Sequence, residues 1–220
     1  MQPPPLLTFS FLLISICFSL SSCTLGTSIS DEAVTPSKEW SWTLIPDPKG
    51  TPLTKVLLSP IDQAGGRTTK KLFGTQVSPG HSTVSPEKFT GYHTGVDFET
   101  FSREKESDIK ISAACTGKIV LKKQASGYGG VVVQRCDLPT ETVTIIYGHL
   151  KLDSITPVVG TILQAHDKIW ILGKGYSDQT DGERKHLHFG IHKWPSINIT
   201  WYTSTSGALN NWIDPIWYLQ

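Results

Sequence analysis

The chain has 220 residues, with 20 Lys and Arg against 19 Asp and Glu and a net charge of +1. That balance carries no strong electrostatic pull, so no nucleic-acid partner and no charge-driven membrane binding are implied. Glycine is frequent, prolines are scattered and long amphipathic helical periodicity is missing, which points away from a helical fold and fits one domain.

From the N-terminus, residues 1–22 read as an export signal. Leu6 to Leu20 is a nearly uninterrupted apolar run, at about fifteen residues a signal-peptide core and short of the roughly twenty that a membrane-spanning helix needs. It ends in Leu20-Ser21-Ser22-Cys23, which resembles the lipobox of bacterial lipoproteins. On that reading cleavage precedes Cys23 and the cysteine carries a lipid that anchors the protein at the membrane of the cell envelope. An ordinary secretory signal, leaving a secreted protein, is the alternative; Gln2-Pro3-Pro4-Pro5 supplies no Lys or Arg. Residues 23–39 follow as a tether rich in Ser and Thr, and the domain spans 40–220. Trp40 to Lys71 is expected to add strands or to pack across one sheet face.

Short runs then read as strands separated by turns: Lys118–Lys123, Val131–Arg135, Val143–Tyr147 and Ile169–Leu172. The expected fold is mainly β, a single domain of antiparallel sheets with few short helices. Cys115 and Cys136 flank a predicted hairpin that turns at Ala125–Gly130. Opposed residues of such a hairpin come within disulfide range, and export permits oxidation; two buried free thiols are the other outcome. Asp214-Pro215 ahead of Ile216, Trp217 and Tyr218 predicts a short C-terminal helix with Asp as N-cap and Pro at its first position.

Three histidine segments stand out against this background: Tyr92-His93-Thr94-Gly95-Val96-Asp97-Phe98, Tyr147-Gly148-His149-Leu150 and Lys185-His186-Leu187-His188-Phe189. Imidazole and carboxylate together suit zinc, and a catalytic zinc uses three protein ligands and keeps one position open. Side chains two apart share one face of a strand, so His186 and His188 point together while Leu187, Phe189 and Ile191 point to the opposite, buried face. His93 and Asp97, four apart, converge if their segment is extended, and Gly95 allows a bulge or a close approach. Spacing alone does not say which of His186 and His188 is a ligand. His81, His166 and His192 lack such context, although His192 shares the face of His186 and His188.

The order H-x-x-x-D, aromatic-x-H-L and H-L-H-F resembles the M23 (LytM/lysostaphin-like) zinc metallopeptidases, from about Gly91 to Leu219. Flanking residues agree: Gly95-Val96-Asp97-Phe98, Gly117 within Ala114–Val120, Gly127-Tyr128-Gly129 ahead of a valine run, and Asp214-Pro215. The resemblance implies a LytM-like β domain (the duplicated hybrid motif) and one Zn2+ per chain held by His93, Asp97 and His188. It implies His149 and His186 as the catalytic pair beside the metal. It implies an endopeptidase whose metal-activated water cuts peptide bonds in bacterial peptidoglycan. H-E-x-x-H is absent, so a histidine takes the role of a glutamate base, its pKa lying close to neutrality. The chain departs from the family pattern at Glu99–Asp108, a charged stretch in place of a short turn. It departs again at Gly173–Lys185, which carries Asp178, Asp181, Glu183 and Arg184. Both are expected near the rim of the site.

Two functional classes follow. One is an active zinc endopeptidase on the cell wall; the other is an inactive LytM-like protein that binds peptidoglycan or activates another wall hydrolase. Inactive members lose ligands, and here all five positions are kept. A zinc enzyme acting on a protein outside the wall is a third reading. Protein partners are not indicated by any motif.

Overall fold

The structure, a computed structural model, describes residues 56–194 and 196–220. The export signal over 1–22, Cys23, the tether over 23–39 and the beginning of the domain at Trp40 lie outside the described residues. Twelve strands follow in chain order: β1 Gln76–Val77, β2 Gly91–His93, β3 Gly95–Glu99, β4 Lys110–Ser112, β5 Gly117–Ala125 and β6 Gly129–Asp137. The second half holds β7 Thr142–Gly148, β8 Ile162–Leu163, β9 Lys168–Ile171, β10 His186–Lys193, β11 Tyr202–Thr203 and β12 Trp212–Ile213. Only short 3-10 segments, three residues long except for the six of Ser206–Asn211, interrupt them among the described residues. All the strand ladders are antiparallel.

The main sheet runs β12-β10-β7-β6-β5-β8, and β3 pairs with the same edge of β10 that β12 uses further along. Smaller sheets, β1-β2-β11 and β4-β9, complete the domain. The strands expected from sequence are present; β5, β6 and β7 extend one or two residues beyond the expected ends, and β9 lies one residue earlier than Ile169–Leu172, with Leu172 in an isolated bridge to Leu150. Val131, Val132 and Val133 of β6 and Ile145, Ile146 and Tyr147 of β7 are all fully buried, because both faces of the sheet are covered; such strands read as continuous apolar runs. The pleat then sorts the side chains. Val132, Ile145, Tyr147, Leu187, Phe189 and Ile191 enter the larger core, with Ile111 and Trp170 of the β4-β9 sheet. Val131, Val133 and Ile146 face the other way, onto Tyr128, Trp201 and Trp212. Burial of each of these large apolar side chains contributes roughly 1.5–3 kcal/mol. His186 and His188 take the parity of the second face, so the sheet presents them under Tyr128 and Trp201 and away from the main core.

Cys115 and Cys136 are bonded as a disulfide, with 6.1 Å between their Cα atoms. They are not directly opposed: Cys136 pairs with Gly117, and Cys115 sits just before β5 begins. The C-terminal turn is a 3-10 turn, Pro215–Trp217, with the Asp214 carboxylate accepting from Ile216 N at 3.0 Å and from the Trp217 indole at 3.1 Å. From the segment ahead of the first strand, Leu57 bridges Leu219. The chain then passes behind β3, where Glu99 N donates to Arg67 O and Asp97 N to Lys71 O, at 2.9 and 3.0 Å.

Candidate active site and metal centre

Three ladders bring the motif residues together. In β3-β10 the register sets Asp97 opposite His188 and Glu99 opposite His186. In β7-β10 it sets Gly148 opposite His188, which delivers His149 to the same end of the sheet. The chain changes sheets at Thr94: β2 pairs His93 with Tyr202 of β11, and β3 joins the main sheet. Thr94 secures the crossing through its N to Trp201 O at 2.9 Å and its hydroxyl to Thr200 O at 2.7 Å. The expected extended segment is therefore two short strands whose break turns His93 toward Asp97. Gly95 is required at this point. A Cβ there would stand 2.5 Å from Phe189 O and 2.9 Å from His188 Cε1, so any side chain would push β3 off β10.

Three ligand-type atoms form a small triangle. His93 Nε2 lies 3.0 Å from His188 Nδ1 and 3.2 Å from Asp97 Oδ1, and His188 Nδ1 lies 3.3 Å from Asp97 Oδ1. His93 Nδ1 is 3.2 Å from Leu72 O; donation there leaves a lone pair on Nε2, the arrangement usual for a metal-binding histidine. Asp97 Oδ1 also offers only lone pairs. One proton, on His188 Nδ1, is the most that the three atoms can share. A cation satisfies all three, and tetrahedral bonds of about 2.0–2.1 Å to N and O place ligand atoms about 3.3 Å apart. The triangle thus fits zinc, and it is the one His/Cys/Asp/Glu grouping of this kind among the described residues.

Arg184 holds the other oxygen of Asp97. Its Nη2 is 2.8 Å from Asp97 Oδ2, and its Nε bridges both oxygens of Glu99 at 3.1 and 3.0 Å. Burial alone would disfavour the charge on Asp97, but the three imidazoles packed around it, His186, His93 and His188, outweigh it and hold the carboxyl well below its usual range. The other side of the cluster is braced by a buried ion pair, Lys71 to Glu87 at 2.7 Å, with Lys71 also donating to Tyr202 Oη at 2.9 Å. The Tyr202 ring packs 5.3 Å from that of His93.

His149 and His186 face each other beside the triangle, ring centroids 4.2 Å apart. His149 has φ 62, a left-handed conformation that costs a non-glycine residue about 1–3 kcal/mol and that concentrates at functional sites. Neither of its ring nitrogens has a hydrogen-bond partner, and burial, with the neighbouring His186 imidazole second, pushes its pKa well down. His186 Nδ1 lies 2.8 Å from Arg184 O, which places the proton on Nδ1 and the lone pair on Nε2. That Nε2 is 3.3 Å from Asp97 Oδ2 but off the bonding direction, and it too is unpartnered. The arrangement sets ring nitrogens of two imidazoles, without hydrogen-bond partners, against a triangle that fits a cation, a set able to take a proton from a bound water and return it to a leaving amine. Trp201 and Tyr128 roof the cluster, with the Trp201 ring 4.7 Å from His149 and 5.4 Å from His188. All five motif residues are at most 1% exposed.

Every residue of the motif reading therefore converges. His81 and His166 are exposed on turns elsewhere, and His192 packs on Trp212 at 4.7 Å, outside the cluster. Sequence reasoning missed Arg184 as a partner of Asp97, although Arg184, His186 and His188 follow one alternation. It gave no role to Trp201, which carries no local signal. The charged segments do flank the site, since Glu99 and Arg184 belong to them.

The sequence profile described as Peptidase family M23 matches residues 91–202. No curated protein matches the chain. Among solved structures the chain is similar to Helicobacter pylori Csd3, at 18% identity and a TM-score of 0.42, over 68% of this chain and 35% of that one. It is similar to LytU at 23% identity and a TM-score of 0.45, over 68% of this chain and 81% of that one. A zinc containing peptidase from Vibrio cholerae is similar at 20% identity and a TM-score of 0.40, over 65% and 38% of the two chains. The chain thus spans 35% of the Csd3 chain.

Proposed function

The chain belongs to peptidase family M23, and from that premise we propose that it is a zinc-dependent endopeptidase that cleaves peptide bonds of peptidoglycan. The observation that carries this reading is the His93–Asp97–His188 triangle with the unpartnered ring nitrogens of His149 and the unpartnered Nε2 of His186 beside it. His93, Asp97 and His188 would hold one Zn2+. When bound there, zinc lowers the pKa of a water to about 7 and polarises a carbonyl. His149 and His186 have free ring nitrogens to accept that water's proton and to pass one to the departing amine. Arg184 fixes the Asp97 carboxylate through its second oxygen.

Cleavage at a wall places the protein outside the cytoplasm, which accords with an export signal over 1–22 and a lipid on Cys23 as the proposed anchor. The alternative, an inactive peptidoglycan-binding protein or activator of another hydrolase, predicts binding without products. Digestion of purified peptidoglycan by the purified protein, with and without a chelator and with products read by mass spectrometry, tests the proposal. New peptide termini that disappear with chelator are expected; intact peptides in both arms would overturn it.

A further inference from the structure

The two charged segments beside the site fold onto each other. Lys185 Nζ donates to the carbonyl oxygens of Ser107, Lys105 and Glu104 at 2.6, 3.2 and 3.4 Å, and the Thr100 hydroxyl donates to Lys185 O at 3.1 Å. A cleft of about 320 Å³ opens where they meet, with Lys70, Lys105, Lys174, Arg184 and Lys185 in its lining. Its two carboxylates are Glu99 and Glu106. The charge of Glu99 is already spent on Arg184 and on Lys70, whose Nζ lies 3.5 Å away. Lys185 is held by neutral carbonyls, and Lys105 and Lys174 are exposed with no carboxylate in ion-pair range among the described residues. Within the lining three ammonium groups therefore face one unpaired acid, Glu106, while Asp108 and Glu104, outside the lining, act on Lys185; Lys105 and Lys174 are the ammonium groups left to a ligand. Arg184 both lines the cleft and touches Asp97, so the cleft adjoins the metal triangle.

We propose that this cleft is a substrate subsite for a carboxylate on a peptide residue next to the scissile bond. The inference rests on the endopeptidase reading and adds to it the charge of the substrate. The donors are separate ammonium points, and the arginine fork is committed to Asp97 and Glu99. The space suits one acidic residue rather than a polymer surface. A carboxylate here is drawn toward the site and aligned without contact with the reacting atoms, so it lowers KM and leaves kcat alone.

The test compares three stem peptides of one sequence with the zinc-loaded full chain. One carries a free side-chain carboxylate with a blocked C-terminus, one has that carboxylate amidated, and one is amidated at the side chain with a free C-terminus. KM for one acidic form should be about 3- to 10-fold below that of the neutral form, as expected for a few partly screened charges. Which acidic form it is identifies the source of the carboxylate. In Lys105→Ala/Lys174→Ala the difference should vanish, with kcat and KM on the neutral peptide unchanged; salt at about 0.5 M should mimic this. Equal KM for all three peptides, or a preference that survives the double substitution, overturns the proposal. Should no peptide be cut, the endopeptidase reading fails by itself. Fluorescence anisotropy of the labelled peptides then decides the cleft: acid preference lost in the double variant upholds it, and equal affinities refute it.

Discussion

Arg184→Met removes the one guanidinium shared by Asp97 and Glu99, whose side chains are 2% and 11% exposed. Contacts of about 4 Å at an effective dielectric near 20 are worth roughly 4 kcal/mol each before desolvation is subtracted. Breaking a buried pair from one side costs about 3–5 kcal/mol, since a carboxylate is left uncompensated. Lys70 stays 3.5 Å from Glu99 but is 43% exposed, which places the loss nearer the lower figure. At about 3 kcal/mol, and 2–4 °C per kcal/mol for a domain of this size, the metal-free variant should melt roughly 6–12 °C below the wild type. Zinc and Arg184 both offset the charge of Asp97, so saturating zinc should raise the variant's midpoint more than the wild type's. Calorimetry of both proteins, in chelator and in zinc, measures the two differences. A metal-free variant within about 1 kcal/mol of wild type, or equal zinc-induced shifts, would refute the role given to Arg184.

His188→Ala should abolish stoichiometric zinc, whereas His149→Ala should keep it and lose about 10²- to 10⁴-fold in turnover; metal analysis beside peptide assays separates the two, and retained zinc in His188→Ala would sink the ligand assignment. Reduction of Cys115–Cys136, a bridge across a separation of 21 residues, should cost roughly 3 kcal/mol by loop entropy, read as a lower urea midpoint with thiol reductant. The hydrogen bond from Arg67 holds the Glu104 carboxyl at about 2 against an ordinary 4.5. Between those values the unfolded chain takes up a proton that the folded chain does not, so the stabilisation is full above pH 4.5 and fades as pH falls toward 2. The stability gap between wild type and Glu104→Gln should therefore close over that range, and a gap constant with pH would remove the Arg67 explanation. Cys23→Ser should release the protein from the membrane fraction or leave it unprocessed; unchanged retention would mean a different anchor.

The strands at Val131–Arg135 and Val143–Tyr147 were legible in the sequence because β-branched and aromatic runs of that length between turn residues have few other packings. The His-Leu-His triplet was legible for a related reason, since the pleat puts its two imidazoles on one face whatever the rest of the chain does. Asp214-Pro215 announced its turn, because N-cap chemistry is local. The division of His186 from His188 was not local: register with Asp97 and Gly148 puts His188 in the triangle, while the Arg184 carbonyl turns His186 toward His149. The cysteine pair was ambiguous until the ladder set Cys136 against Gly117 and brought Cys115 alongside. Arg184 on Asp97, Lys185 on the Glu104–Ser107 carbonyls and Trp201 over His149 join residues some fifty to ninety positions apart. Nothing in a local pattern specifies such contacts. They arise when the β3-β10 and β2-β11 ladders close and bury the intervening space, so tertiary structure alone decided how the metal triangle is charged, roofed and approached.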